Sequence, residues 1–430
     1  MPLKDHFCSS PWLHLKIDHD GRYETCRWMP KDHVWRGNDY IQNVDPVDYF
    51  QNKMSWLRNA MLFGEKLNHC YECQVMEANN KVSGRERQLL KCGITTDNFQ
   101  KSTLSSPWLS KFKESLESNG ETDLLPVDWH VALGNHCNSS CLYCHPIHSS
   151  KLVTEWKKLG LSFETPAKSW TENPEAFQSF INTLRKTTNL RYIHFMGGET
   201  LITPGFEDIL DALIESNITN ITIGFTTNLT VWDDDIIGKL SKFSEVHAGL
   251  SIECLHPVND YVRYPSKLSD VKVILDRWVQ IAQELNWLIQ LRPTPTNLTI
   301  MYLDTLFEYA YTNNLAIESV NFINQPDFMR PSVLPIKTRN IISEKISKWI
   351  NSKPESNNNV EVVNQRNPNY AKQQVINDAK SYLEYFKNQP DESEKLKDLV
   401  SRLKLLESNR KNSIMDYLPE YEELLRSAGY

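Results

Sequence analysis

Hydrophobic positions recur along the chain with two different periods. From residue 126 onward, short runs rich in β-branched and aromatic residues are separated by longer stretches with helical spacing. The runs are "WHVALG" (129–134), "RYIHFM" (191–196), "ITIGFTT" (221–227), "VHAGLSI" (246–252), "WLIQL" (287–291) and "ESVNFI" (318–323). In the intervening "FEDILDALIES", Phe206, Ile209, Leu210, Leu213 and Ile214 fall on one helix face, and "LSDVKVILDRWVQIAQEL" repeats the style. Strand and helix alternating six times predict consecutive βαβ units and a parallel sheet. Right-handed crossovers curl such a sheet one way, toward an open barrel. The expected fold class is α/β, a partial (β/α)6 TIM-like barrel.

Both flanks break this alternation. Near the N-terminus "LHLKI" (13–17) alternates, "DHDG" (18–21) turns and "RYETC" (22–26) returns, which predicts a β-hairpin with Cys8 and Cys26 at its open end. A helical stretch then leads to Cys70 and Cys73. Residues 95–126 are polar and end in proline, as a connection would. After "SVLP" (332–335), "IISEKISKWI" is an amphipathic helix and the asparagine-rich 354–369 reads as loop. A later helix places Leu396, Leu399, Leu403 and Leu406 on a stripe, read as packing against the barrel because two heptads are too few for a coiled coil. The expected organisation is a small hairpin-plus-helix domain at 1–92, a linker at 93–125, the barrel at 126–335 and a helical extension at 336–430.

Composition narrows the function classes. A 430-residue chain that is 40% hydrophobic can bury a large core, enough for roughly two to three domains. A net charge of −7 removes a global electrostatic case for nucleic-acid binding. No stretch approaches the ~20 apolar residues that span a bilayer, and "MPLKDHFCSS" lacks the apolar run of a signal peptide. The expectation is a cytoplasmic protein with reduced thiols, in which clustered cysteines point to metal or catalysis. Of nine cysteines, Cys92 and Cys254 stand alone and read as packed thiols.

Three of the others, Cys137, Cys141 and Cys144, lie in "GNHCNSSCLYCH" (134–145), directly after the first barrel strand. Chemistry in parallel α/β folds sits at the C-terminal ends of strands. Structural zinc would need a fourth ligand, for which His136, His145 and His148 are at hand. A [4Fe–4S] cluster held by three thiolates would instead keep one iron open. The C-x3-C-x2-C spacing, with Tyr143 before the last cysteine, resembles the signature loop of radical SAM enzymes. In that family S-adenosylmethionine chelates the fourth iron. "FMGGET" at the end of the second strand then resembles the family's GGE motif, which assigns Gly197, Gly198 and Glu199 to the cofactor. The resemblance extends to Thr227 and Asn228 after the third strand, and to Ser251 and Glu253 after the fourth as a ribose-contacting pair. It also includes Arg263 as a partner of the cofactor carboxylate. Many members have Asp where this chain has Glu253, and Arg263 is followed by Tyr rather than Gly.

Cys8, Cys26, Cys70 and Cys73 could close around one further metal centre. The hairpin with Asp20-Gly21 and the run "RNAMLFGE…CYEC…E…SGRER" (58–87) resemble twitch and SPASM modules, which carry auxiliary [4Fe–4S] clusters. A full SPASM module continues with further cysteines after the C-x2-C, where this chain reads "QVMEANNK" (74–81), so the one-cluster twitch type fits better; a four-cysteine zinc knuckle is the alternative. The module here precedes the barrel, as in phage and bacterial twitch domain-containing radical SAM proteins. The resemblance implies reductive cleavage of S-adenosylmethionine to a 5′-deoxyadenosyl radical and hydrogen abstraction from a substrate, with an electron donor such as flavodoxin or ferredoxin as partner. The substrate class it implies first is a peptide or protein. A small metabolite, sugar or nucleotide is the alternative, and a non-catalytic metal-binding adaptor the reading from another class. Trp12, Trp28, Trp35 and Trp56 are candidates for a docking surface.

Overall fold

The structure is a computed structural model and describes residues 6–26, 39–78, 82–94, 107–318, 322–354 and 368–430. Trp28 and Trp35 lie outside the described residues, as do 95–106 of the expected linker and 355–367 of the expected loop.

Among the described residues the strands form one eight-stranded sheet: β1 (His14–Ile17), β2 (Tyr23–Glu24), β3 (Asp128–Ala132), β4 (Tyr192–Met196), β5 (Thr222–Thr227), β6 (Glu245–Leu250), β7 (Leu288–Leu291) and β8 (Ala316–Ile317). Their order across the sheet is β2-β1-β3-β4-β5-β6-β7-β8. From β3 to β8 every neighbouring pair is parallel, and helices connect successive strands, as the βαβ pattern predicts. Three of the six barrel strands begin one residue later than their sequence runs, and β3 and β6 begin one earlier. The last differs more: β8 ends before Glu318, whereas the run was read at 318–323, of which 319–321 lie outside the described residues. The helix Leu303–Asn313 is closed by Asn314 in the left-handed conformation, so the chain turns straight into the strand.

The hairpin departs most from expectation. Its β1 pairs antiparallel with β2 and parallel with β3, with Lys16 opposite His130 and Ile17 opposite Val131. The N-terminal hairpin therefore extends the barrel sheet itself. The reason shows in β1, where all four residues are buried although residue type alternates. Leu15 and Ile17 join the hydrophobic core with the apolar positions of β3–β7, whereas His14 and Lys16 belong to a polar inner face. On that face His14 meets His130 (ring centroids 5.4 Å), and His130 stacks on His194 (4.8 Å). On the other, Trp129 meets Phe180, Phe195 meets Phe206 and Phe225 meets Trp278, each across to a helix. Alternation here separates barrel interior from helix layer, not core from solvent.

Part of the expected linker is also structured. Pro107–Glu117 is a helix whose Phe112 packs edge-on against Phe7 and Trp12, and whose Ser115 accepts the Trp12 indole N–H at 2.8 Å. Its polar composition conceals an apolar contact repeated at Phe112 and Leu116, four residues apart. In the C-terminal extension Leu396, Leu399, Leu403 and Leu406 are all buried, as the stripe predicts.

Candidate functional site

The chain leaves β3 at Ala132 and enters the cysteine loop at the C-terminal end of the sheet. Backbone bonds fasten this loop on two sides. Gly198 and Glu199 donate to Gly134 O (3.2 Å) and His136 O (2.8 Å), tying it to the end of β4. Ser140 and Leu142 donate to Tyr264 O (2.7 Å) and Val262 O (2.9 Å), tying it to the segment after β6. The two glycines are required by this closeness. A Cβ on Gly198 would stand 2.2 Å from His136 O, and Gly197 has φ +148° with its Cβ direction 2.8 Å from Gly134 O.

A cleft of about 590 Å³ opens above these strand ends. Cys137, Cys141, Tyr143, Cys144, Gly197, Gly198, Thr227, Asn228, Ser251 and Arg263 all line it. The Asn228 amide donates to Asn138 Oδ1 (2.8 Å) and Ser139 Oγ (3.1 Å), bracing the cysteine loop from β5. The Ser139 N–H points at Cys137 Sγ (3.4 Å). Burial pushes the Cys137 thiol up to about 11 and that of Cys144 to about 12, and for Cys144 its neighbours Cys141 and Cys137 add to the rise. Burial also raises Cys141, against the pull of Arg263. Three crowded thiols that resist ionisation together suit a bound metal cation, whose charge reverses that preference.

Two of the expected cofactor residues face elsewhere. Glu199 is fully buried. Its carboxylate accepts from the backbone N–H groups of Leu201 (3.3 Å) and Asn228 (2.6 Å), capping the turn Thr200–Ile202 and locking β4 to β5. Burial, opposed by these bonds, lifts its carboxyl to about 6. Glu253 is likewise fully buried and accepts from Tyr143 Oη (2.5 Å), Arg263 Nη1 (2.8 Å) and the Thr294 N–H. Arg263 also donates to Tyr143 Oη (2.5 Å). The two carboxylates thus hold the frame, while the glycines, Ser251 and the edge of Arg263 meet the cleft. Sequence spacing put Ser251 and Glu253 on one strand face; β6 ends at Leu250, so that periodicity no longer applies to them.

Other cleft residues escaped the sequence reading. Lys16, Asp18 and His19 come from β1 and the hairpin turn; His194, Arg292 and Glu318 come from inner positions of the barrel. Lys16 is ion-paired with Glu24, and Arg292 with Glu318 at 2.8 Å. The signal was present in β1, where His14 and Lys16 alternate with leucine and isoleucine without reaching solvent.

Cys8, Cys26, Cys70 and Cys73 line a second, much smaller cavity of about 50 Å³, with Pro11, Leu57, Met61 and Leu67 among its other walls. Cys70 ends the turn Asn68–Cys70 and Cys73 lies in the helix Tyr71–Ala78. Burial pushes the Cys8 thiol well up, with Cys26, Cys70 and Cys73 adding to the effect. Beside the cavity Arg85 forks onto Glu77 (2.9 and 2.7 Å) and reaches Phe7 O (3.3 Å), fastening the C-x2-C helix to the segment carrying Cys8. The "E…SGRER" portion of the sequence motif supplies this brace. Cys92 and Cys254 are buried in the core. Among the described residues, no three or more His, Cys, Asp or Glu side chains are close enough to hold a single metal ion. No helix among them is long and apolar enough to cross a membrane.

No curated protein matches the chain. Among solved structures it is similar to Streptococcus suis SuiB bound to S-adenosylmethionine, at 14% identity over 81% of this chain and 69% of that one, with a TM-score of 0.35. SuiB bound to precursor peptide SuiA is similar at 15% identity over 66% and 59%, TM-score 0.35. Native anSMEcpe with bound AdoMet is similar at 15% identity over 53% and 63%, TM-score 0.36. Residues 131–286 match the family model described as "Radical SAM superfamily". That stretch carries the cysteine loop, both glycines, Asn228 and Arg263, and there the chain is similar to radical SAM superfamily enzymes.

Proposed function

We propose that Cys137, Cys141 and Cys144 hold a [4Fe–4S] cluster with one open iron, that S-adenosylmethionine binds across Gly197, Gly198, Asn228 and Ser251, and that the enzyme modifies a peptide or protein. The observation that carries this reading is that one cleft gathers all three cysteines and these residues from four successive strand ends. When bound, cluster and cofactor supply reductive cleavage of the sulfonium to a 5′-deoxyadenosyl radical, which takes a hydrogen atom from substrate. The chain's own residues position and shield. The glycine backbone admits the cofactor closely, Asn228 braces the cysteine loop, and the buried Tyr143–Glu253–Arg263 group fixes the wall behind Cys141.

Cys8, Cys26, Cys70 and Cys73 are proposed to hold an auxiliary [4Fe–4S] cluster. All four thiols line one cavity, as the ligands of a single centre must. The peptide reading rests on the resemblance of this cysteine set to twitch and SPASM modules and on the extent of the cleft. The cleft shares Asp18, His19 and His148 with an adjoining one of about 770 Å³, so the two lie side by side at the hairpin turn.

Anaerobic reconstitution tests the assignment. The expected product is a brown protein with about eight irons per chain that, once reduced, releases 5′-deoxyadenosine from S-adenosylmethionine. Four irons with one zinc would overturn the auxiliary cluster. A fully loaded protein that leaves S-adenosylmethionine intact would overturn the proposed chemistry.

A further inference from the structure

The cysteine loop is held from a third side by the C-terminal extension. The helix Leu396–Arg410 ends on Arg410, and Lys411 then turns the chain in the left-handed conformation. The Arg410 side chain is almost wholly buried. Its Nη2 donates to Ser140 O at 2.7 Å, the carbonyl of the residue directly before Cys141. Its Nε and Nη2 also form a two-point ion pair with Glu155, at 2.8 and 2.7 Å. Glu155 lies on Ser150–Lys158, the helix that follows the cysteine loop. The guanidinium sits 4.7 Å from the centroid of the Tyr264 ring, and Tyr264 O is the acceptor of the Ser140 N–H. One turn earlier, Glu407 accepts from Tyr261 Oη (2.8 Å), on the helix that leads to Arg263.

One cation thus joins the cysteine loop, the helix after it and the segment after β6. A buried ion pair is a poor way to gain stability, because desolvation offsets its attraction and an apolar pair would serve as well. Its strength is directional: a guanidinium fork fixes several acceptors in one geometry. The thiol of the cysteine it borders lies within electrostatic reach of both Arg410 and Arg263.

We infer that Arg410 is a positioning residue for the cluster loop. It holds the Ser140 carbonyl so that Cys141 keeps its place, and puts a fixed positive charge beside that cysteine. The C-terminal extension is then part of the active-site machinery. This rests on the cluster assignment above, and the test separates the two. Wild-type protein with no open-iron cluster would defeat the assignment; a loaded wild type with indifferent Arg410 variants would defeat only the inference.

The experiment compares wild type, Arg410→Gln and Arg410→Lys. Hydrogen exchange of the iron-free proteins reads the loop directly. The Ser140 and Leu142 amides should exchange about tenfold faster in both variants, the loss expected for a charged hydrogen bond. Redox titration of the cluster whose EPR signal responds to added S-adenosylmethionine reads the charge. A nearby cation favours the reduced, more negative cluster, so Arg410→Gln should shift the potential more negative and Arg410→Lys should hold it near wild type. A purely structural role would not produce that rescue. Wild-type exchange rates in the variants, or an unmoved potential in Arg410→Gln, overturn the inference. If Arg410→Gln does not fold, the exchange rates of Arg410→Lys decide alone.

Discussion

The two cysteine sites present the same ligand atom in opposite surroundings. Cys137, Cys141 and Cys144 sit on a loop at the mouth of a polar cleft of about 590 Å³, bordered by residues from many strands. Cys8, Cys26, Cys70 and Cys73 face a cavity of about 50 Å³ with largely apolar walls, built from the end of a hairpin, a short turn and one helix. Three thiols beside open space leave a coordination position for a second molecule; four thiols around a tight apolar space leave none. In the proposed function, ligand count and solvent access, not ligand chemistry, separate the centre that acts on a substrate from the auxiliary one.

The sharpest way to break this comparison is to remove ligands from each site in turn. Cys137→Ala should abolish release of 5′-deoxyadenosine and lower the iron content by about four per chain. Cys70→Ala with Cys73→Ala should lower the iron by the same amount yet leave cofactor cleavage measurable, while the N-terminal region becomes protease-sensitive. Equal loss of cleavage from both would mean that the auxiliary site is required for the first step. Gly198→Ala comes next. The added methyl would meet the His136 carbonyl at 2.2 Å, so the cysteine loop must shift. Binding of S-adenosylmethionine, measured by calorimetry on loaded protein, should weaken by about a hundredfold or more, since a misplacement near 1 Å has that scale of effect.

Glu253→Gln tests the frame behind the cleft. It leaves the buried Arg263 charge facing only a neutral amide and the Tyr143 hydroxyl in that group, a loss of about 3–5 kcal/mol in chemical unfolding. Only secondary weakening of cofactor binding should follow, because the carboxylate does not line the cleft. The smallest effect belongs to Cys254→Ala. It should keep the full iron content and cost about 1–2 kcal/mol at most, as for a packed thiol in a closed core.

The barrel strands were legible because each is a short apolar run between helices, and the lengths of those helices leave little choice of topology. The cysteine loop and the double glycine were legible because their chemistry is local: eight residues set three thiols, and two adjacent glycines mark a backbone contact. The hairpin was read correctly as a hairpin but placed in a separate domain. Its parallel pairing with β3, across more than a hundred residues, leaves no local mark except polar side chains in a strand that is buried on both faces. Pro107–Glu117 was hidden for a related reason, since a helix that buries a narrow stripe looks like polar linker. Glu199 and Glu253 show the limit for site residues. Motif position located both, yet which way each carboxylate faces was settled by backbone N–H groups from other strands.

By itself the sequence determined the α/β alternation, the grouping of seven cysteines into three and four, and the chemistry open to a loop of three thiols. Period, spacing and residue type are properties of neighbouring residues and need no fold to be read. The tertiary structure alone decided that β1 and its turn line the cleft with Lys16 and Asp18, that two expected cofactor carboxylates serve as internal braces, and that Arg410 reaches Ser140 from 270 positions away. Those outcomes depend on where buried polar groups find partners once the chain has collapsed. That search runs through space, and sequence separation does not constrain it.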